Sequence, residues 1–389
     1  MKHKMHGLRG TIGLTLGCTM LLGLAFALNR AHARGSFNGG MFTPAQAHAY
    51  VTNQRSNTVS VIDTATNATT ATVPVQTGPW GITITPDGTR AYVGNEHSDT
   101  VSVVDTTTTA VIATIPVPAN PTAIAITPNG TRAYVTNSSG TTVPVIDTVN
   151  NTVIAIVTVG FDPEGIAITP DGTRAYVTNL GSNTVSVIDT VSNAVVVTIP
   201  AGSVPFGIAI TPDGTRAYVT NYSYYFSNVL VIDTATNAVI ATIPVGLDPN
   251  GIAITPDGTR AYVTNWVTDD VSVIDTATNT VIATVPVGAT GPIAVAITPD
   301  GTRVYVTVRD SNIVSVVDTS TNTVVSSFPI ACPTGIAIAP APIPTPTPTP
   351  QVGPPMSKDQ CKNGGWQAFN TPRRFKNQGD CIQFVNTGK

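Results

Sequence analysis

From residue 49 to residue 340 the chain is a succession of short segments in which apolar and polar residues alternate with period two, cut at regular intervals by turn-forming residues. One unit shows the pattern. Gly165 to Thr169 reads as a short strand a, and Pro170-Asp171-Gly172-Thr173 as a tight turn. There Pro presets the first corner, Asp can bond its own backbone and Gly accepts positive φ. Arg174 to Thr178 reads as strand b and Asn183 to Ile188 as strand c. Asp189 to Asn193 is a second turn, followed by strand d from Ala194 to Pro200. Both b and c are rich in Val, Ile and Thr, the residues that fit a pleated, half-buried surface.

The unit repeats. Tyr50, Tyr92, Tyr134, Tyr176, Tyr218, Tyr262 and Tyr305 each open a Tyr-Val pair, and Asp63, Asp105, Asp147, Asp189, Asp233, Asp275 and Asp318 keep step with them. A period of 42 to 44 residues holding four short antiparallel strands is the signature of a propeller blade. The repeat opens on strand b at Ala49 and ends on strand a at Gly335 to Ala339, so neither end is a whole blade. Pairing the last a with the first b, c and d completes a seventh blade and removes two open sheet edges. The expected fold is therefore all-β, a seven-bladed β-propeller of four-stranded antiparallel blades closed by its own two ends, with a small C-terminal disulfide module.

The segments outside the repeat change the picture of where the protein works. Lys2, Lys4 and Arg9 precede an apolar run from Thr11 to Leu28, and Ala31-His32-Ala33 offers a small-x-small cleavage site. Residues 1–33 read as an export signal, 34–48 as a lead, 49–340 as the propeller, 341–355 as a Pro-rich linker and 356–389 as a basic module. The predicted location is secreted or cell-surface, with no transmembrane segment after cleavage and a monomeric body. An exported context favours pairing Cys361 with Cys381, leaving Cys332 as a free or buried thiol.

Charge is unevenly distributed. Residues 34–340 carry 9 Arg, no Lys, 18 Asp and 2 Glu, a net −11, whereas residues 341–389 carry a net +4. An acidic body repels a nucleic-acid backbone, so nucleic acid is not an expected partner. The basic tail suits an anionic cell-wall or surface polymer.

Taken together, Ala-Tyr-Val-Thr-Asn, Ser-Asn-Thr-Val-Ser-Val-Ile-Asp-Thr and Pro-Asp-Gly-Thr-Arg resemble the repeats of the YVTN-type seven-bladed β-propellers of prokaryotic surface-layer and secreted proteins. The resemblance covers the whole repeat region. It implies the fold and an extracytoplasmic role, and carries no defined activity. The tail from Asp359 to Cys381 is similar to a short module found at the C-terminus of other exported bacterial proteins.

The repeat also serves as an internal ruler for function. The a-to-b and c-to-d turns share one face and barely vary, so Arg90, Arg132, Arg174, Arg216, Arg260 and Arg303 are expected to pair locally with turn aspartates or carbonyls. All length variation falls on the opposite face, in the b-to-c and d-to-a loops, where a rigid scaffold leaves room for binding. Trp80, Phe206, Tyr222, Tyr224, Tyr225, Phe226 and Trp266 lie there, with Glu96, His97, Asp162, Glu164, Asp248, Asp269 and Asp270. Aromatic platforms beside acidic acceptors suit an extracellular protein, peptide or glycan, with Ca²⁺ as an optional ligand of the acids.

Catalysis is disfavoured by composition: His48 and His97 are the only histidines after residue 34, and the propeller has no Lys to act as a base. The expectation is a non-enzymatic, cofactor-free binding protein with no catalytic residues and no metal site. The alternative is a lactonase-like hydrolase or lyase that uses loop carboxylates and a divalent ion.

Overall fold

A computed structural model describes residues 47–223, 227–339, 358–362 and 377–387. The expected export signal, the start of the lead, the linker, most of the basic module and the loop residues Tyr224, Tyr225 and Phe226 lie outside these residues. Among the described residues there are 28 strands in seven four-stranded antiparallel sheets, each one blade.

Blade one is the mixed blade. Its strand a is Pro333–Ile338, b is His48–Asn53, c is Thr58–Asp63 and d is Thr69–Pro74, in that order across the sheet. Strand a pairs with b in antiparallel register through Ala49–Ile338, Tyr50–Ala337 and Val51–Ile336. Backbone bonds extend the closure at both ends, from Ala339 N to His48 O at 2.8 Å and from Gln54 N to Cys332 O at 3.2 Å. The expected seam is thus a full strand pairing.

Blade four shows how sequence sets the strand limits. Its strands are Pro163–Ile168, Arg174–Asn179, Thr184–Asp189 and Ala194–Pro200. The inner strand begins two residues earlier than the sequence pattern suggests because Pro163, lacking an N–H, can occupy the first position of a strand without losing a ladder bond. In the a-to-b turn Asp171 Oδ1 accepts from Thr173 N and from the Thr169 hydroxyl, and Gly172 sits at φ 73°.

The core lies between blades. Tyr176, Val185, Val187 and Ile199 of blade four pack on Ala217, Val219 and Ile232 of blade five, and equivalent clusters fill the other intervals. Full burial of each Val or Ile stabilises the ring by roughly 1.5–3 kcal/mol. Six of the seven repeat Tyr residues also bond an Asn of the next blade through the hydroxyl; Tyr134 Oη donates to Asn193 Oδ1 at 2.7 Å and Tyr218 Oη to Asn279 Oδ1 at 2.7 Å.

The repeated arginines pair with turn carbonyls, one of the two partners expected, but reach them in the next blade. Arg90, Arg132, Arg216 and Arg260 each donate to a turn carbonyl of the following blade, namely Thr148, Thr190, Thr276 and Thr319. Arg303 keeps a local contact, 4.0 Å from Asp318. The side chain is long enough to cross the blade interval, and a turn carbonyl there is a better partner than an Asp already saturated by its own turn. Asp189 Oδ1, for example, accepts from Val191 N, Ser192 N and the Ser192 hydroxyl.

The C-terminal module contributes a 3₁₀ turn at Lys358–Cys361 and a helix at Gln378–Thr387, joined by the expected Cys361–Cys381 disulfide with a Cα–Cα distance of 5.7 Å. Cys332 is free and buried. No helix among the described residues is long and apolar enough to cross a membrane.

Candidate functional site at the channel mouth

Two rings of residues meet at the axis on the variable face. The first is the second position of each inner strand: Thr334, Trp80, Thr122, Glu164, Phe206, Asn250 and Ile293 in blades one to seven. The second is the residue that follows each strand b: Gln54, Glu96, Ser138, Leu180, Tyr222, Trp266 and Arg309. These fourteen positions hold most of the departures from the repeat.

Elementary packing puts them there. The residue after the first ring is Gly in five blades, and a Cβ at Gly165 or Gly207 would lie 2.3 Å from the carbonyl oxygen of Phe206 or Asn250 in the next inner strand. Glycine therefore lets adjacent inner strands close around the axis. Thr52, Thr136, Thr178, Thr220, Thr264 and Thr307 then donate to the first-ring carbonyls of the following blade, at 2.6–3.0 Å.

The second ring is fixed by its backbone. Each member donates its N–H to the carbonyl of the residue just before the strand-a proline: Glu96 N to Gly78 O, Leu180 N to Asp162 O, Tyr222 N to Val204 O, Trp266 N to Asp248 O and Arg309 N to Gly291 O. The acceptors all have positive φ. That requirement explains Asp162 and Asp248, because Asp tolerates the left-handed region that most residues avoid.

Several sequence candidates are thereby reassigned to structure. Asp269 has φ 57° and its Oδ1 accepts from Gly291 N at 3.0 Å, while Asp270 Oδ1 accepts from Asn265 Nδ2 at 2.6 Å. Asp269 ties the b-to-c loop of blade six to the connection into blade seven, and Asp270 ties strand c of blade six to its strand b. Asp248 N donates to the Ser227 hydroxyl, and burial pushes the Asp248 carboxyl upward. His97 is exposed with its ring against Gly78, and Glu96 Oε2 accepts from Gln54 Nε2 at 3.3 Å. Trp80, Glu164 and Phe206 stand on inner strands and not on loops.

The structure brings the remaining candidates together. Glu164 is partly open to the channel by surface exposure, yet its carboxyl lies deep among protein atoms. Burial, reinforced by the negative fields of Asp162 and Glu96, pushes it up to about 8, against a small opposing hydrogen bond from Thr122. A carboxyl poised there exchanges protons near neutral pH. Burial also raises Asp162. Phe206 and Tyr222 form an aromatic pair with centroids 5.8 Å apart.

Arg309 and Gln54 complete the site and escaped the sequence reading. The Arg309 guanidinium lies 5.1 Å from the Trp80 ring centroid and 5.9 Å from that of Trp266, held between the two indoles. Its Nη2 donates to Gln54 Oε1 at 2.6 Å, and Gln54 Nε2 donates to Glu96 Oε2 at 3.3 Å. The signal for Arg309 was available: the last copy reads Tyr-Val-Thr-Val-Arg where every other copy has Asn at the fourth place, and its Arg stands outside the Pro-Asp-Gly-Thr-Arg turns.

Among the described residues no group of three or more His, Cys, Asp or Glu side chains converges to hold a metal ion. Clefts between successive turns on the opposite face, such as the one lined by Asp213, Arg216, Asp257 and Thr276, recur from blade to blade and distinguish none.

A family model described as a lactonase with a seven-bladed β-propeller matches residues 63–190 and 163–327. No curated protein matches the chain in sequence. Among solved structures it is similar to hydrazine synthase of Kuenenia stuttgartiensis, at 26% identity over 74% of this chain and 99% of that one, with a TM-score of 0.65. It is similar to a putative 6-phosphogluconolactonase of Bacteroides fragilis, at 18% identity over 77% and 99%, with a TM-score of 0.65. It is also similar to the dihydro-heme d1 dehydrogenase NirN, at 16% identity over 75% and 74%, with a TM-score of 0.58. The last two likenesses show the fold.

These findings overturn the expectation of a non-enzymatic protein, since the family matched is one of lactonases and the similar structures carry the names of enzymes. That expectation had rested on the scarcity of His and Lys, which does not exclude a carboxyl as the proton-transfer group. The YVTN-type label rests on the sequence motifs, while the match supports its coarser content, a seven-bladed propeller.

Proposed function

Because the chain belongs to the seven-bladed β-propeller lactonase family, we propose that it hydrolyses a cyclic ester at the channel mouth, with Glu164 moving the proton and Arg309 receiving the developing negative charge. The observation that carries this reading is the Glu164 carboxyl, pushed up to about 8 at the same mouth as a guanidinium held between two indoles.

The chemistry balances with these two groups. Glu164 as carboxylate takes a proton from water as the water oxygen attacks the ester carbonyl carbon. The carbonyl oxygen gains negative charge, which the Arg309 N–H groups stabilise. Collapse of the tetrahedral intermediate breaks the ring C–O bond, and Glu164 returns its proton to the departing alkoxide. The product is an open hydroxy acid. Trp80, Trp266, Phe206 and Tyr222 supply apolar faces for the ring and limit water around the reacting atoms.

The test is ring opening by the purified full chain across a panel of five- and six-membered lactones, followed by proton release. Rates are expected to rise with pH through an apparent pKa about 8. Glu164→Gln is expected to lose roughly 10²–10⁴-fold in kcat. A Glu164→Gln protein that opens lactones at the wild-type rate rules out the assignment.

A further inference from the structure

We propose that Gln54 is a positioning residue which holds Arg309 between the indoles and away from Glu96, so that the guanidinium stays available to the substrate oxygen. This rests on the hydrolase reading above. Gln54 sits between two opposite charges and touches both, its Oε1 on Arg309 Nη2 at 2.6 Å and its Nε2 on Glu96 Oε2 at 3.3 Å. The amide orientation is fixed by its partners, because a guanidinium only donates and a carboxylate only accepts.

A neutral amide is the side chain that can satisfy both without neutralising either. Without it, Arg309 and Glu96 would be drawn into a direct charge-assisted pair, which is commonly bidentate and would consume the N–H groups needed for an oxyanion. Among the described residues Gln54 Oε1 is the one acceptor that the guanidinium reaches. Its remaining N–H groups are left for an oxygen of the ligand.

The three backbones are staged for this arrangement. Gln54 N is bonded to Cys332 O, Glu96 N to Gly78 O and Arg309 N to Gly291 O. Gln54 comes from blade one, Glu96 from blade two and Arg309 from blade seven, so the relay spans residues 255 apart in sequence and forms only when the ring is closed. At the corresponding positions the other blades carry Ser138, Leu180, Tyr222 and Trp266, none of which has both a side-chain amide donor and a carbonyl acceptor.

The experiment uses the full chain with Trp366→Phe, which leaves Trp80 and Trp266 as its tryptophans. Gln54→Leu is expected to lower kcat about 100-fold, the cost of misplacing a group that must meet the reacting atom, with KM changed far less. It is also expected to alter tryptophan emission as the guanidinium leaves the indoles. Gln54→Glu keeps an acceptor for Arg309 and should retain wild-type emission while losing activity, because the added charge neutralises the guanidinium. In an Arg309→Leu background, Gln54→Leu should change neither readout further.

Wild-type emission and kcat in Gln54→Leu would overturn the proposal. So would an effect that persists undiminished in the Arg309→Leu background. If the wild-type chain opens no lactone, the hydrolase reading fails, and the emission series still decides whether Gln54 holds Arg309.

Discussion

The Tyr305 hydroxyl donates to Asn67 Oδ1 at 2.7 Å, joining the last blade to the first across 238 residues. The same bond recurs in the neighbouring intervals, from Tyr92 to Asn151 and from Tyr176 to Asn237. Tyr50 is the exception: the residue in the corresponding place is Thr109, which has φ 52°. A β-branched residue in the left-handed region is strained, whereas Asn is at home there. Thr109→Asn is expected to restore the bond and relieve the strain, stabilising by about 1 kcal/mol and raising Tm by about 2 °C for a ring of this size. Thermal unfolding followed by circular dichroism checks it, and an unchanged or lower Tm would contradict this account of the Tyr–Asn staple.

Val204 presents the same strain at the site itself. It lies at φ 58° before Pro205, its N donates to Asn183 Oδ1 at 2.8 Å and its carbonyl accepts from Tyr222 N at 2.9 Å. These backbone bonds survive substitution. Val204→Asn should therefore stabilise the protein by about 1 kcal/mol, since Asp162 and Asp248 already show that a short polar residue fits the position. Denaturant midpoints at constant slope measure the gain. A loss would mean that the valine side chain contributes packing beside Phe206 which outweighs its backbone strain.

The blades were legible because each is specified locally, by period-two strands, Pro-Asp-Gly turns and an Asx turn after strand c. The seam was legible by counting strands. The relay from Glu96 through Gln54 to Arg309 was not, because each member is a single departure in its own copy and only the closed ring makes blades seven, one and two neighbours. The acids run the other way. Asp248 and Asp269 look like ligands in the sequence, yet positive φ accounts for their identity. Glu164 could be named from its position, but its raised proton affinity depends on burial depth, which composition does not carry.

Glu164 makes stability depend on pH with a definite sign. Its ordinary value is 4.5 and in the fold it is pushed up to about 8, so between those values the unfolded chain releases a proton that the folded chain keeps. Linkage then makes stability fall as pH rises, with the contribution complete below 4.5 and lost by about 8. Glu164→Gln removes this dependence. Relative to wild type it should gain stability from about pH 5 to about pH 8 and level off above, read as the difference in Tm between the two proteins. A difference that does not change with pH would place the Glu164 carboxyl in an ordinary solvated environment.

Asn179 offers a sharper test of how the blades tolerate buried polarity. Its Nδ2 donates to the Thr184 and Ser186 hydroxyls of strand c, while its Oδ1 is buried with no partner. The same oxygen is orphaned in five other blades. Blade seven solves the problem differently, pairing Val308 with Ile313 where blade four pairs Asn179 with Thr184. Removing one polar partner strands the other, whereas replacing both by apolar groups of similar shape is close to neutral. Asn179→Val alone should thus cost about 1–3 kcal/mol. The double variant Asn179→Val with Thr184→Ile should recover most of that loss, a coupling that a thermodynamic cycle on denaturant unfolding measures directly. Strictly additive losses would show that blade seven depends on features beyond this pair.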